Sequence, residues 1–122
     1  MIKVLDEKTE KFVAFLNEKY PLKGEVKLFA MWGYDAVMSD ESGNSGFAVY
    51  LPTEKTIMLP LEIPEDILEI NNTELNETFV IHNLAHEYCH AMQDERGEDF
   101  DEKSEDEAND FADKVVKEFM EI

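Results

Sequence analysis

The chain of 122 residues carries 29 acidic against 11 basic side chains, a formal charge of −18 at pH 7, with 43% apolar residues. That length suits one domain spanning 1–122 with a single modest core, the apolar share argues against disorder, and the charge argues against direct binding to nucleic-acid phosphates. The one cysteine, Cys89, forms no intrachain disulfide. No apolar run is long enough to span a membrane, and the opening MIKVLDEKTEKF lacks the apolar stretch of a secretory signal. The expectation is a cytoplasmic protein that does not engage a membrane.

Residues 6–20 read as a first helix. Asp6 is the expected N-cap, with Thr9 as the alternative. Phe12, Val13, Phe15 and Leu16 make its apolar stripe, and Pro21 and Gly24 end it. The middle of the chain reads as sheet. From Glu25 to Ala30, Val26, Leu28 and Ala30 alternate with Lys27. Ala36-Val37-Met38 is a short second strand or the end of the first. Ser39 to Gly46 is a loop by composition. Phe47 to Leu51 and Thr56 to Leu59 form a hairpin around Pro52-Thr53-Glu54-Lys55, bracketed by Pro52 and Pro60 as suits strand ends or an edge. Pro64 to Leu68 opens a short helix, and Thr73 or Asn76 caps the next one. Apolar residues at helical spacing (Phe79, Val80, Leu84, Ala85, Tyr88, Ala91, Met92) define a helix over about 75–95, closed by Gly97. The last helix runs from about Ser104 to Glu118, with Ser104 as N-cap and Glu107 at the reciprocal capping-box position. Its buried stripe is Ala108, Phe111, Ala112, Val115 and Phe119.

The segment that carries chemistry is His86-Glu87-Tyr88-Cys89-His90. On a helix, residues four apart share a face, so both imidazoles reach one metal ion. Glu87 adjoins the first of them and is placed to hold a water without ligating. This is the HExxH spacing of zinc peptidases. A catalytic zinc takes three protein ligands and leaves one position open. The third must come from elsewhere, and the last helix offers Glu105, Asp106, Glu107 and Asp110. Glu105 and Asn109 share a helix face there, while Glu107 lies about 200° round from Glu105.

Glu105-Asp106-Glu107-Ala108-Asn109-Asp110-Phe111-Ala112 has the form E-x-E-A-N-x-F-A. With HExxH upstream, and with Leu84-Ala85-His86-Glu87…His90…Gln93, the chain over roughly 79–116 resembles the ImmA/IrrE-type metallopeptidases, small gluzincins of phages and mobile elements. The resemblance implies an α+β, zincin-like minimal gluzincin. It would have an N-terminal helix, a small and mostly antiparallel sheet with a hairpin, an HExxH helix and a C-terminal glutamate-bearing helix. It implies His86, His90 and Glu105 as zinc ligands, with Glu107 as the alternative third ligand, and Asn109 as support behind the site. Tyr88 and Cys89 depart from the usual apolar fillers between the histidines.

The expectation is therefore a zinc-dependent peptidase that hydrolyses peptide bonds by a metal-activated water, with Glu87 as general base and a protein or peptide as substrate. The competing reading is a non-enzymatic acidic interaction protein, either a DNA mimic or a metal-binding pseudoenzyme, acting on a basic protein partner. His82, one turn before His86, is a weak ligand candidate because one straight helix does not easily give three ligands to one ion. Cys89 lies off the ligand face and reads as a buried thiol. Trp32 and Tyr34 read as core or cleft wall, and Tyr34, Tyr50 and His82 remain open as oxyanion stabilisers.

Overall fold

The computed structural model describes residues 2–3, 6–24, 26–31, 38–39, 45–46, 48–60, 62–63 and 78–121. In chain order these give β1 (Ile2–Lys3), α1 (Glu7–Lys19), β2 (Lys27–Met31), β3 (Met38–Ser39), β4 (Ser45–Gly46), β5 (Val49–Leu51), β6 (Thr56–Pro60), β7 (Glu62–Ile63), α2 (Phe79–Glu95) and α3 (Glu102–Met120). This is a small α+β fold.

α1 starts where its chemistry predicts. The Asp6 carboxylate accepts from the Thr9 amide at 2.8 Å and from the Thr9 hydroxyl at 2.9 Å, so Thr9 is a buried partner of the cap rather than the cap itself. Phe12 and Leu16, one turn apart, are fully buried. After the helix, the amides of Lys23 and Gly24 donate to the Glu95 carboxylate at 2.9 and 2.5 Å, tying this turn to the end of α2.

β5 and β6 form the expected hairpin, antiparallel with Val49 opposite Met58 and Leu51 opposite Thr56. Lys55 closes its turn in the left-handed region, φ 52°, and its ammonium pairs with Asp94 of α2. The Tyr50 hydroxyl donates to the same carboxylate at 2.8 Å. Asp94 thus staples the hairpin to the last turn of α2. β2 runs parallel to β6, Lys27 opposite Thr56 through Met31 opposite Pro60, giving the order β2-β6-β5. The pairs β1–β7 and β3–β4 are antiparallel. Among the described residues the sheet pairings are therefore mostly antiparallel, with one parallel pair that alternation alone does not distinguish. The expected helix at Pro64 to Leu68, the caps at Thr73 and Asn76, and Trp32 and Tyr34 lie outside the described residues.

α2 is buried along Ile81, Leu84, Ala85, Tyr88 and Ala91. These side chains join Phe12, Leu16, Tyr50, Ile57 and Leu59 in one apolar cluster with Val115 and Val116 of α3. α2 ends in a Schellman motif. Gly97 takes φ 73°, its amide donates to Asp94 O at 3.0 Å, and the Glu98 amide donates to Gln93 O at 3.1 Å. α3 begins two residues before the expected start. Its N-cap is Asp101, not Ser104. The Ser104 amide donates to the Asp101 carboxylate at 2.9 Å, and the Asp101 amide donates to Ser104 Oγ at 2.8 Å. Asp101-x-x-Ser104 closes a reciprocal box on the amides of Ser104 and Asp101, as the expected Ser104-x-x-Glu107 box would on those of Glu107 and Ser104, so both readings were open to the sequence. The structural choice frees Glu107 for another task. Among the described residues no helix is long and apolar enough to cross a membrane.

Candidate metal centre

α2 and α3 pack antiparallel, and their facing polar residues form a ladder. At one end His82 Nε2 meets Asp113 Oδ1 at 2.8 Å. One turn on, His86 Nδ1 meets Asn109 Oδ1 at 2.9 Å. One turn further, Glu105 lies across from both His86 and His90, with each carboxylate oxygen 2.9 Å from one Nε2. Helical spacing on both strands of this ladder creates it, since residues four apart stack on one face.

The two Nε2 atoms lie 3.2 Å apart. His86, His90 and Glu105 thus converge as a group able to hold a metal ion. Ligand atoms about 2.0–2.2 Å from a tetrahedral ion lie roughly 3.3–3.5 Å from one another. An outward shift of a few tenths of an ångström would admit the ion.

The donor chemistry fits a divalent metal. Both Nδ1 atoms are engaged by side-chain amides, His86 by Asn109 and His90 by Gln93 Oε1 at 2.8 Å. A ring that donates from Nδ1 keeps its electron pair at Nε2. Two such pairs and a carboxylate facing one another form an electron-rich pocket that a cation neutralises. Burial, followed by the proximity of His90, holds His86 below the ordinary histidine range despite the opposing pull of Glu105. Near neutral pH its ring is then unprotonated and free to ligate.

The site is asymmetric in exposure. The His90 side chain is 9% exposed and that of His86 17%, whereas Glu105 is 52% exposed. The imidazoles are rooted in the fold and the third donor closes the site from the solvent side. The exposed ring of Phe100, in the link between the helices, stands edge-on to His90 with centroids 5.3 Å apart. Glu87 is half-buried on α2.

Of the carboxylates offered by α3, the structure brings Glu105 to the histidines. Glu107 is turned instead to the Gln93 amide and Arg96, each at 2.7 Å. That contact with Gln93, joined by Arg96, holds its carboxyl below the usual range. His82 is taken up by Asp113, away from the convergent group. Cys89 is buried with its sulfur 3.8 Å from Gln93 Nε2. Tyr50, whose hydroxyl is bonded to Asp94, supports the hairpin. Sequence reasoning gives no role to Gln93. The signal was present, because a glutamine three residues after His90 falls within a turn of the ligand face and inside the buried span of the helix.

No protein-family model matches the chain, and comparisons with curated proteins and with solved structures also return no match.

Proposed function

We propose that the chain is a zinc-dependent peptidase of the gluzincin type, with a zincin-like pairing of α2 and α3. In this reading His86, His90 and Glu105 hold the ion. The observation that supports it is the convergence of two Nε2 atoms and one carboxylate whose supporting hydrogen bonds direct their electron pairs inward. Zinc held there supplies Lewis acidity, polarising a scissile carbonyl and making water nucleophilic near neutral pH.

The other roles fall to the chain itself. Glu87 lies about 60° round α2 from His90 and about 100° from His86, beside the ligand face rather than on it. Its carboxylate takes the proton of the attacking water and passes it to the leaving amine. Asn109 and Gln93 keep the two rings from turning. β5, on the outer side of the three-stranded sheet and joined to α2 through Tyr50 and Asp94, offers a strand against which an extended peptide pairs.

The test combines metal content with cleavage. Wild type purified without chelator is expected to carry about one zinc per chain, and Glu105→Ala to lose most of it. Incubated with a mixture of peptides from a digested proteome and read by mass spectrometry, wild type is expected to generate new termini. Glu87→Gln keeps the zinc and generates none. Cleavage by Glu87→Gln at the wild-type rate would refute the assigned base.

The charge of −18 supports a second reading, a non-enzymatic protein that holds metal for stability and binds a basic partner. It predicts zinc in wild type and no new termini from either protein.

A further inference from the structure

Gln93 is fully buried, and both the nitrogen and the oxygen of its amide are engaged. Its Nε2 donates to the Ser104 carbonyl at 3.0 Å and to Glu107 Oε1 at 2.7 Å. Both partners only accept, so the amide cannot be turned round without setting its oxygen against two other oxygens. Its Oε1 therefore faces His90 Nδ1, at 2.8 Å. An amide oxygen cannot donate, so the proton between them belongs to the ring. Glu105 Oε1 also accepts, 2.9 Å from Nε2, but that carboxylate is half exposed and can turn to solvent, whereas the buried amide cannot move; neutral His90 is therefore held as the Nδ1–H tautomer, with its Nε2 electron pair facing the space between Glu105 and His86.

The same side chain acts on the other helix. Ser104 immediately precedes Glu105, and its side chain and amide are already committed to the Asp101 cap. The bond from Gln93 to the Ser104 carbonyl fixes the backbone on which Glu105 is mounted. Glu107, tied to Arg96 on its far side, backs the amide and holds its orientation.

We infer that Gln93 is a positioning residue for the centre formed by His86, His90 and Glu105. It sets which nitrogen of His90 presents an electron pair, and it ties α3 at the residue before Glu105. This rests on the metal-site reading above, but its first test needs no metal.

The experiment uses the full chain labelled with 15N, freed of metal and held under mildly alkaline conditions. Two-bond 1H–15N spectra of the histidine rings report the tautomer. Wild-type His90 is expected as Nδ1–H. Gln93→Met, which fills the same buried volume without the amide, is expected to show the Nε2–H form at His90. Zinc affinity, measured by competition with a chromogenic chelator, is expected to fall roughly 10–100-fold in Gln93→Met. A wild-type His90 found as Nε2–H overturns the inference even if no variant folds. So does an unchanged tautomer in Gln93→Met, or a zinc affinity there within about twofold of wild type. Absence of zinc binding in wild type would refute the proposed function, while the tautomer result would still decide the role of Gln93.

Discussion

Cys89 and His90 are neighbours in sequence and opposites in chemistry. The thiol is 1% exposed, and burial, followed by the nearby Glu107 charge, pushes it up to about 12. Thiolate, the reactive form, is therefore scarce at neutral pH and shielded as well. The folded protein is expected to resist a maleimide over a period in which the urea-unfolded chain is fully labelled, as read by intact mass. Cys89→Ser is expected to leave the zinc stoichiometry unchanged. A drop in bound zinc would place the sulfur among the ligands. The two convergent histidines were legible because HExxH fixes two side chains on one helical face. For the third group, helix geometry and the resemblance favoured Glu105 over Glu107 among four carboxylates, and the facing helix brings Glu105 to the two histidines. Once α2 and α3 pack, Glu105 is across from the imidazoles and Glu107 is across from Gln93 and Arg96.

At the scale of elements, the caps carry most of what can be tested. The amide of Thr9 lowers the Asp6 carboxyl from its ordinary 3.8. A group whose pKa is lower in the folded state stabilises above its unfolded value, and loses that contribution as pH falls through the folded one. Asp6→Ala is expected to cost about 1 kcal/mol in urea unfolding at neutral pH. The gap from wild type should narrow as pH falls below 3.8 and close once pH is under the lowered folded value; a gap that does not narrow on acidification would mean that the cap does not work through its charge. Asp101→Ala is expected to cost a similar amount, about 1 kcal/mol, and also to weaken zinc retention, because Glu105 stands in the turn that Asp101 nucleates. The three described helices were legible from apolar spacing and capping residues, and the hairpin from two β-rich runs around Pro52 to Lys55. The start of α3 was not, since Asp101 and Ser104 are both good caps. The partner of β2 was not either: alternating side chains look the same in parallel and antiparallel pairs, and what brings Lys27 beside Thr56 is a long-range pairing.

The whole molecule carries its −18 charge on a small surface, so the folded state works against its own repulsion. Raising sodium chloride from low to moderate concentration is expected to raise the melting temperature by screening that repulsion. Zinc should do so by a separate route. At about 100 times its dissociation constant, a ligand that binds only the folded chain adds roughly 2.7 kcal/mol, a gain expected in wild type and absent in Glu105→Ala at the same salt. Equal zinc-induced shifts in the two proteins would trace the effect to general charge neutralisation instead. The ladder between α2 and α3 has a further consequence, for how such a chain tolerates insertions. Because His82–Asp113, His86–Asn109 and Gln93–Ser104 register the helices, the exposed link between them need not hold the ligands in line. Extra residues between Glu98 and Asp99 lengthen a solvent loop and leave every rung in place. A single residue inserted between Glu105 and Asn109 turns the rest of α3 by about 100° and undoes the rungs on one side of it. Variation in length is thus free where the chain is loose, and forbidden to even one residue where the two helices face each other.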